Sequence, residues 1–197
     1  MKIVLRFKKK GMRRFLSTLE SIKLVERSIR RADFPIVFTE GFHPKPKMSF
    51  LDAMPVGVVN LAFYVELFVK NISEKHIETL KNILPKDFAL ESAWIFDGNI
   101  NELVNSYRFL VISEKPVDLE KTILKKNKKV SFKESLLDFE VSSGKKYHIF
   151  RYTQKREKLI NPLLLAEEGT FFLPICEEAM TGHGPLSSLL ERGGTRV

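Results

Sequence analysis

The apolar positions of this chain alternate, then switch to a helical period, then alternate again. From Lys2 to Lys8, Ile3, Leu5 and Phe7 point one way while Lys2, Arg6 and Lys8 point the other, the pattern of a half-buried strand that Gly11 ends. Ser17-Thr18-Leu19-Glu20 has capping-box spacing, and Leu19, Ile22, Val25 and Ile29 follow as the buried stripe of a helix ending near Ala32 and Asp33, before Pro35. Ile36 to Thr39 is read as a short strand. Leu61, Phe63, Val65, Leu67 and Val69 form the clearest strand. Ser73 caps a second helix carrying Ile77, Leu80, Ile83 and Leu84, which Pro85 stops, and Phe88, Leu90, Trp94 and Phe96 make another strand. The order strand, helix, strand, strand, helix, strand is the ferredoxin-like pattern.

Asp97 to Asn105, with Gly98 and three asparagines, is the predicted boundary. Beyond it the pattern partly repeats: a strand over Tyr107–Ile112, a helix over Asp118–Lys126, strands over Val130–Val141 and Tyr147–Tyr152 joined at Ser142-Ser143-Gly144, a short helix from Asn161-Pro162 to Gly169, and a last strand over Thr170–Ile175. The expected fold class is therefore α+β: two ferredoxin-like halves with antiparallel sheets and helices on one face, the second smaller and less regular. The halves span residues 1–98 and 106–180, and a tail over 181–197, rich in glycine, is expected to be irregular.

Composition narrows the function classes. The 197 residues are 44% hydrophobic and 29% charged, which favours a folded core over disorder, and no apolar run reaches the roughly 20 residues of a membrane span. A soluble, cytoplasmic protein is expected. The single cysteine, Cys176, excludes a disulfide framework or an all-cysteine metal site within this chain. His43, His76, His148 and His183 lack a recognised ligand spacing, so no metal and no cofactor is expected.

The charge is segregated. Residues 1–50 carry 13 Lys+Arg against 4 Asp+Glu and residues 121–158 carry 12 against 4, while 51–120 carry 6 against 11. Two basic blocks folded together would make a seat for a polyanion such as RNA. Within the first, Lys23, Arg27 and Arg31 repeat every four residues as a like-charged helical ridge, with Arg30 beside it and Arg13 and Arg14 ahead of it. Glu40-Gly41-Phe42-His43-Pro44-Lys45-Pro46-Lys47 cannot be helical, because its prolines remove donors. It is expected to be a stiff, extended finger shaped by Gly41, Pro44 and Pro46, presenting His43, Lys45 and Lys47. The nucleic-acid-binding set is thus Arg13, Arg14, Lys23, Arg27, Arg30, Arg31, His43, Lys45 and Lys47, with phosphates on the cations and His43 or Phe42 stacking on a base.

Arg14-Phe15-Leu16-Ser17 through Glu26-Arg27 to Arg30-Arg31-Ala32, and then Glu40-Gly41-Phe42-His43-Pro44, Pro46-Lys47, Ser49-Phe50, Pro55 and Gly57, resemble the bacterial radical SAM-linked protein family. That domain occurs alone or fused behind a radical SAM enzyme that often carries a cobalamin-binding module. The resemblance implies a non-catalytic accessory role beside such an enzyme, in modifying RNA or a translation component. Thr18 and Glu20 stand where the family usually has His and Asp, and Lys45 stands where it often has His. Two rival readings follow. In one, His43 is the acid–base of a metal-independent ribonuclease, by fold-level analogy to CRISPR repeat-processing enzymes. In the other, the chain binds its radical SAM partner without RNA.

Overall fold

In the computed structural model, described for residues 1–125 and 128–197, the chain is a mixed α+β protein dominated by one large, mainly antiparallel sheet with few helices. Its elements are β1 (Lys2–Lys9), α1 (Thr18–Arg31), β2 (Met48–Phe50), β3 (Val59–Phe68), α2 (Glu74–Ile83), β4 (Phe88–Ile95), α3 (Ile100–Leu103), β5 (Val104–Ser113), β6 (Thr122–Lys125), β7 (Lys128–Ser131), α4 (Phe132–Ser135), β8 (Leu136–Ser143), β9 (His148–Lys155), β10 (Phe172–Thr181), β11 (Gly184–Pro185), α5 (Leu186–Gly193) and β12 (Thr195–Arg196). The sheet runs β12-β4-β1-β3-β10-β5-β9-β8, with β2 also on β3 and β11 on β10.

Residues 2–95 give the antiparallel order β4-β1-β3-β2, with α1 and α2 as its connections. Residues 104–181 give β10-β5-β9-β8. The two groups meet where β10 lies parallel to β3 over two residue pairs, Ile175 with Val59 and Cys176 with Asn60. β2 occupies the other end of that same β3 edge, opposite Val65 to Leu67. The sheet is thus continuous across the expected boundary.

Alternation along β3 divides the core. Phe63, Val65 and Leu67 join Leu5, Val25, Ile29, Ile77 and Leu80 beneath α1 and α2. Tyr64 and Ala62 face the other way, in a cluster that runs through Trp94, Tyr107, Phe109, Phe150 and Tyr152 and takes in Ile123, Phe132, Ile160, Leu165 and Leu190. The first group is therefore covered by helices on one face. The cluster on the opposite face is covered by the β6–β7 hairpin, short turns and α5. The strands over 104–181 have no counterpart of α1 and α2 among the described residues.

Other expectations need correction. Residues 122–125, read as part of a helix over 118–126, form β6, in which buried Ile123 packs inward (Lys126 lies outside the described residues). The expected strand over 130–141 is interrupted by α4, which turns Phe132 into the core against Tyr152. The helix expected after Asn161 is a single 3-10 turn, Pro162–Leu165. Leu19, placed on the buried stripe, is mostly exposed. The tail over 181–197 is regular: β11 pairs with β10, α5 buries Leu186 and Leu190, and β12 extends the sheet beside β4. Two apolar residues four apart suffice to dock so short a helix, despite the glycines around it.

Candidate nucleic-acid interface

The proline-containing finger is a hairpin rather than an extended rod. Lys47 N donates to Val37 O at 2.8 Å, Thr39 N to Lys45 O at 2.8 Å, and Lys45 N to the Thr39 hydroxyl at 3.0 Å. Phe38 bridges Pro46, and Val37 and Lys47 tie the hairpin to Phe68 at the end of β3. The ladder uses the N–H groups of Thr39, Lys45 and Lys47, so neither proline is asked for the donor it lacks. Pro46 is buried at the root. Gly41 takes φ +120° near the tip, a conformation that L side chains resist, with nothing within 4 Å of where a Cβ would stand. Glu40 to Lys45 and Lys47 are exposed, and Phe42 is fully so, at 102%.

The structure brings some of the predicted cations together. Arg30 reaches the root of the hairpin, its guanidinium carbon 5.1 Å from the Phe38 ring centroid, and pairs with Glu26 at 3.0 Å. Arg13, Lys23 and Arg27 line one cleft of about 220 Å³ with Leu16, Leu24 and Glu20 at the start of α1. Glu20 closes the capping box there, accepting from Ser17 N at 2.7 Å while its own N–H donates to the Ser17 hydroxyl at 3.2 Å. These bonds to Ser17 hold the Glu20 carboxyl below its usual range, with smaller help from Lys23 and Lys9. Lys9, not among the predicted residues, is buried and donates to Leu16 O at 3.1 Å. Burial lowers its pKa, and Glu20 works against that shift.

Others diverge. Arg31 turns to the α2 side, lining a separate groove with Asp33, Lys75 and His76. Arg14 is half-buried, its guanidinium carbon 4.7 Å from the Phe15 ring centroid and its carbonyl accepting from Gly57 N at 2.9 Å. In the second basic block several cations are taken up by acids. Lys133 pairs with Glu120 at 2.6 Å, Arg151 with Glu140 at 2.7 Å and Glu177 at 2.9 Å, and Arg156 with Asp52 at 2.6 Å. Lys145 and Lys146 sit at the β8–β9 turn. That turn is level with Ser113 and Phe172, at the end of the sheet away from Phe68 and the finger. By contrast Arg13, Arg27, Arg31, His43, Lys45 and Lys47 form no ion pair among the described residues.

His43 makes no hydrogen bond among the described residues, and no group of three His, Cys, Asp or Glu side chains among them is placed to hold a metal. Cys176 is fully buried, and burial pushes its thiol pKa well up, which keeps it protonated and unreactive.

A second constellation was not predicted. Asp52 accepts from the Tyr107 hydroxyl at 2.6 Å and pairs with Arg156 Nε at 2.6 Å, while Arg156 also holds the Val104 carbonyl and the Asn101 side chain. Burial, and then the bond to Asp52, raise the Tyr107 pKa far above its usual range. Asp52 and Arg156 border a cleft of about 280 Å³ with Met54, Pro55, Phe109 and Ile160. Asp52 lies two residues past the Ser49-Phe50 signature, but its partners are remote in sequence and leave no local pattern.

Fold and site together define a basic α+β protein with one large sheet, an exposed cationic hairpin and a cation-lined cleft at a capped helix start. The chain belongs to the bacterial family described as uncharacterized proteins conserved in bacteria (DUF2344), whose pattern matches residues 2–162. Among curated proteins, none matches this chain.

Proposed function

We propose that this protein is a non-catalytic RNA-binding accessory of a radical SAM enzyme. The first half is read as a ferredoxin-like unit that presents the finger, and the second as a degenerate counterpart with the same strand order. The observation that carries the reading is Phe42. A phenyl ring held wholly in water at the tip of a hydrogen-bonded hairpin, with His43, Lys45 and Lys47 around it, is suited to stacking on an unpaired base while the cations meet phosphates. Arg30 at the root, and the cleft of Arg13, Lys23 and Arg27, extend that surface along α1. General acid–base cleavage is less well supported, since His43 has no positioned partner for proton transfer. The radical SAM partner rests on the sequence resemblance alone.

The test is fluorescence anisotropy with a labelled single-stranded RNA over a salt series. Affinity should fall steeply with salt, and Lys45→Glu with Lys47→Glu should weaken binding and flatten the slope. Phe42→Ala should cost about 1–3 kcal/mol of binding, as loss of one base stack does, and leave the unfolding midpoint unchanged. Equal affinity in both variants would remove the finger from RNA binding.

A further inference from the structure

The sheet treats its edges unequally. β12, two residues long, ends one side, and β2, three residues long, covers part of β3. β8 ends the other side with eight residues, all but Leu136 exposed, and beyond the Leu136 N–H, which donates to Lys133 O, no backbone bond outside its ladder with β9 is made by it among the described residues. Long open edges are normally shortened, covered, bulged or broken by proline or charge; β8 has no proline or lysine, one irregularity between Leu136 and Asp138, and the two acids Asp138 and Glu140.

Its two faces are chemically distinct. Phe139 and Val141 stand opposite Tyr152 and Phe150, with the Phe139 and Phe150 centroids 5.9 Å apart, yet they are left 47% and 56% exposed. Asp138 and Glu140 occupy the reverse face, the first accepting from the Thr153 hydroxyl at 3.0 Å, the second paired with Arg151 but with a side chain still 67% exposed. A second copy of the chain is a poor occupant. Each centred antiparallel register of β8 with itself sets Asp138 against Asp138, Asp138 against Glu140, or Glu140 against Glu140, and like charges directly opposite are destabilising.

We propose that β8 receives an extended segment of another protein as an added strand, with aliphatic side chains over Phe139 and Val141 and lysine or arginine over Asp138 and Glu140. Because the whole chain carries a net charge of +9, a cationic peptide is repelled overall, so its capture reports this acidic edge. The site is separate from the finger and stands whether or not RNA binds there.

The test uses a labelled octapeptide alternating valine and lysine, with a valine–glutamate peptide and an N-methylated valine–lysine peptide as controls. The valine–lysine peptide should raise anisotropy and slow hydrogen exchange at the β8 amides, and N-methylation of its inward amides should abolish both. Asp138→Lys with Glu140→Lys should weaken it about tenfold and favour the glutamate peptide. Absence of β8 protection, binding indifferent to N-methylation, or a β8-mediated dimer of the protein in sedimentation would overturn the proposal. The N-methylated control keeps the native chain, so the outcome does not depend on the double variant folding.

Discussion

Lys9 shows what a single side chain can do when an alternating strand runs out of surface. It is 1% exposed, yet its ammonium has the Leu16 carbonyl for a partner and Glu20 nearby. Burial lowers its pKa, so between that lowered value and the ordinary 10.5 the unfolded chain binds more protons than the folded one, and stability rises with pH across that window. Lys9→Met should abolish the rise, which urea titrations at several alkaline pH values will show as parallel rather than diverging midpoints. Ser17→Ala should cost about 1 kcal/mol, because the cap and its reciprocal carboxylate bond are lost together. Glu20 has a depressed folded pKa, so its stabilising share is present above the usual 4.5 and fades as acid titrates it through the lower folded value. A denaturation series toward low pH should show the Ser17→Ala deficit shrinking. The capping box was legible in sequence, since its two residues lie three apart. Lys9 was not, because burial of one end of β1 depends on residues far along the chain.

At the level of elements, local rules worked where a segment satisfies itself and failed where tertiary packing arbitrates. β1, α1, β3, α2 and β4 follow directly from apolar spacing, caps and prolines. The segment over 118–135 did not, because Ile123 and Phe132 are drawn into a core shared with Phe150 and Tyr152. The finger was recognised as non-helical and exposed, but its hairpin bonds depend on the Thr39–Lys45 pairing, which prolines neither require nor forbid. The tail misled through its glycines. Leu190 is fully buried, in the same cluster as Trp94. Leu190→Ala should destabilise the fold by about 2–5 kcal/mol and make residues 182–197 sensitive to protease, read by the thermal midpoint and limited proteolysis.

Over the whole molecule, the two basic blocks visible in composition do not act alike. Along α1 and the finger, Arg13, Arg27, Arg31, Lys45 and Lys47 form no ion pair among the described residues while Arg30 pairs with Glu26; in the second block Lys133, Arg151 and Arg156 answer Glu120, Glu140, Glu177 and Asp52. Composition reports the excess and not where folding places the acids. The strand groups over 2–95 and 104–181 are joined by few ladder bonds, by the cluster that Tyr64 and Trp94 share with Tyr107 and Phe109, and by a polar knot. Arg6 pairs with Glu178 at 3.0 Å, the Tyr64 hydroxyl donates to Glu178 at 2.6 Å, and Ser187 of α5 donates to its other oxygen at 2.6 Å. Arg6→Met would leave a buried carboxylate without its cation, at about 3–5 kcal/mol in denaturant titrations. With only Ile175 and Cys176 aligned on β3, the middle of the sheet is its thinnest line. Mechanical stress should open the ladder there first, laying bare the aromatic side chains that Tyr64 and Tyr107 contribute to one cluster.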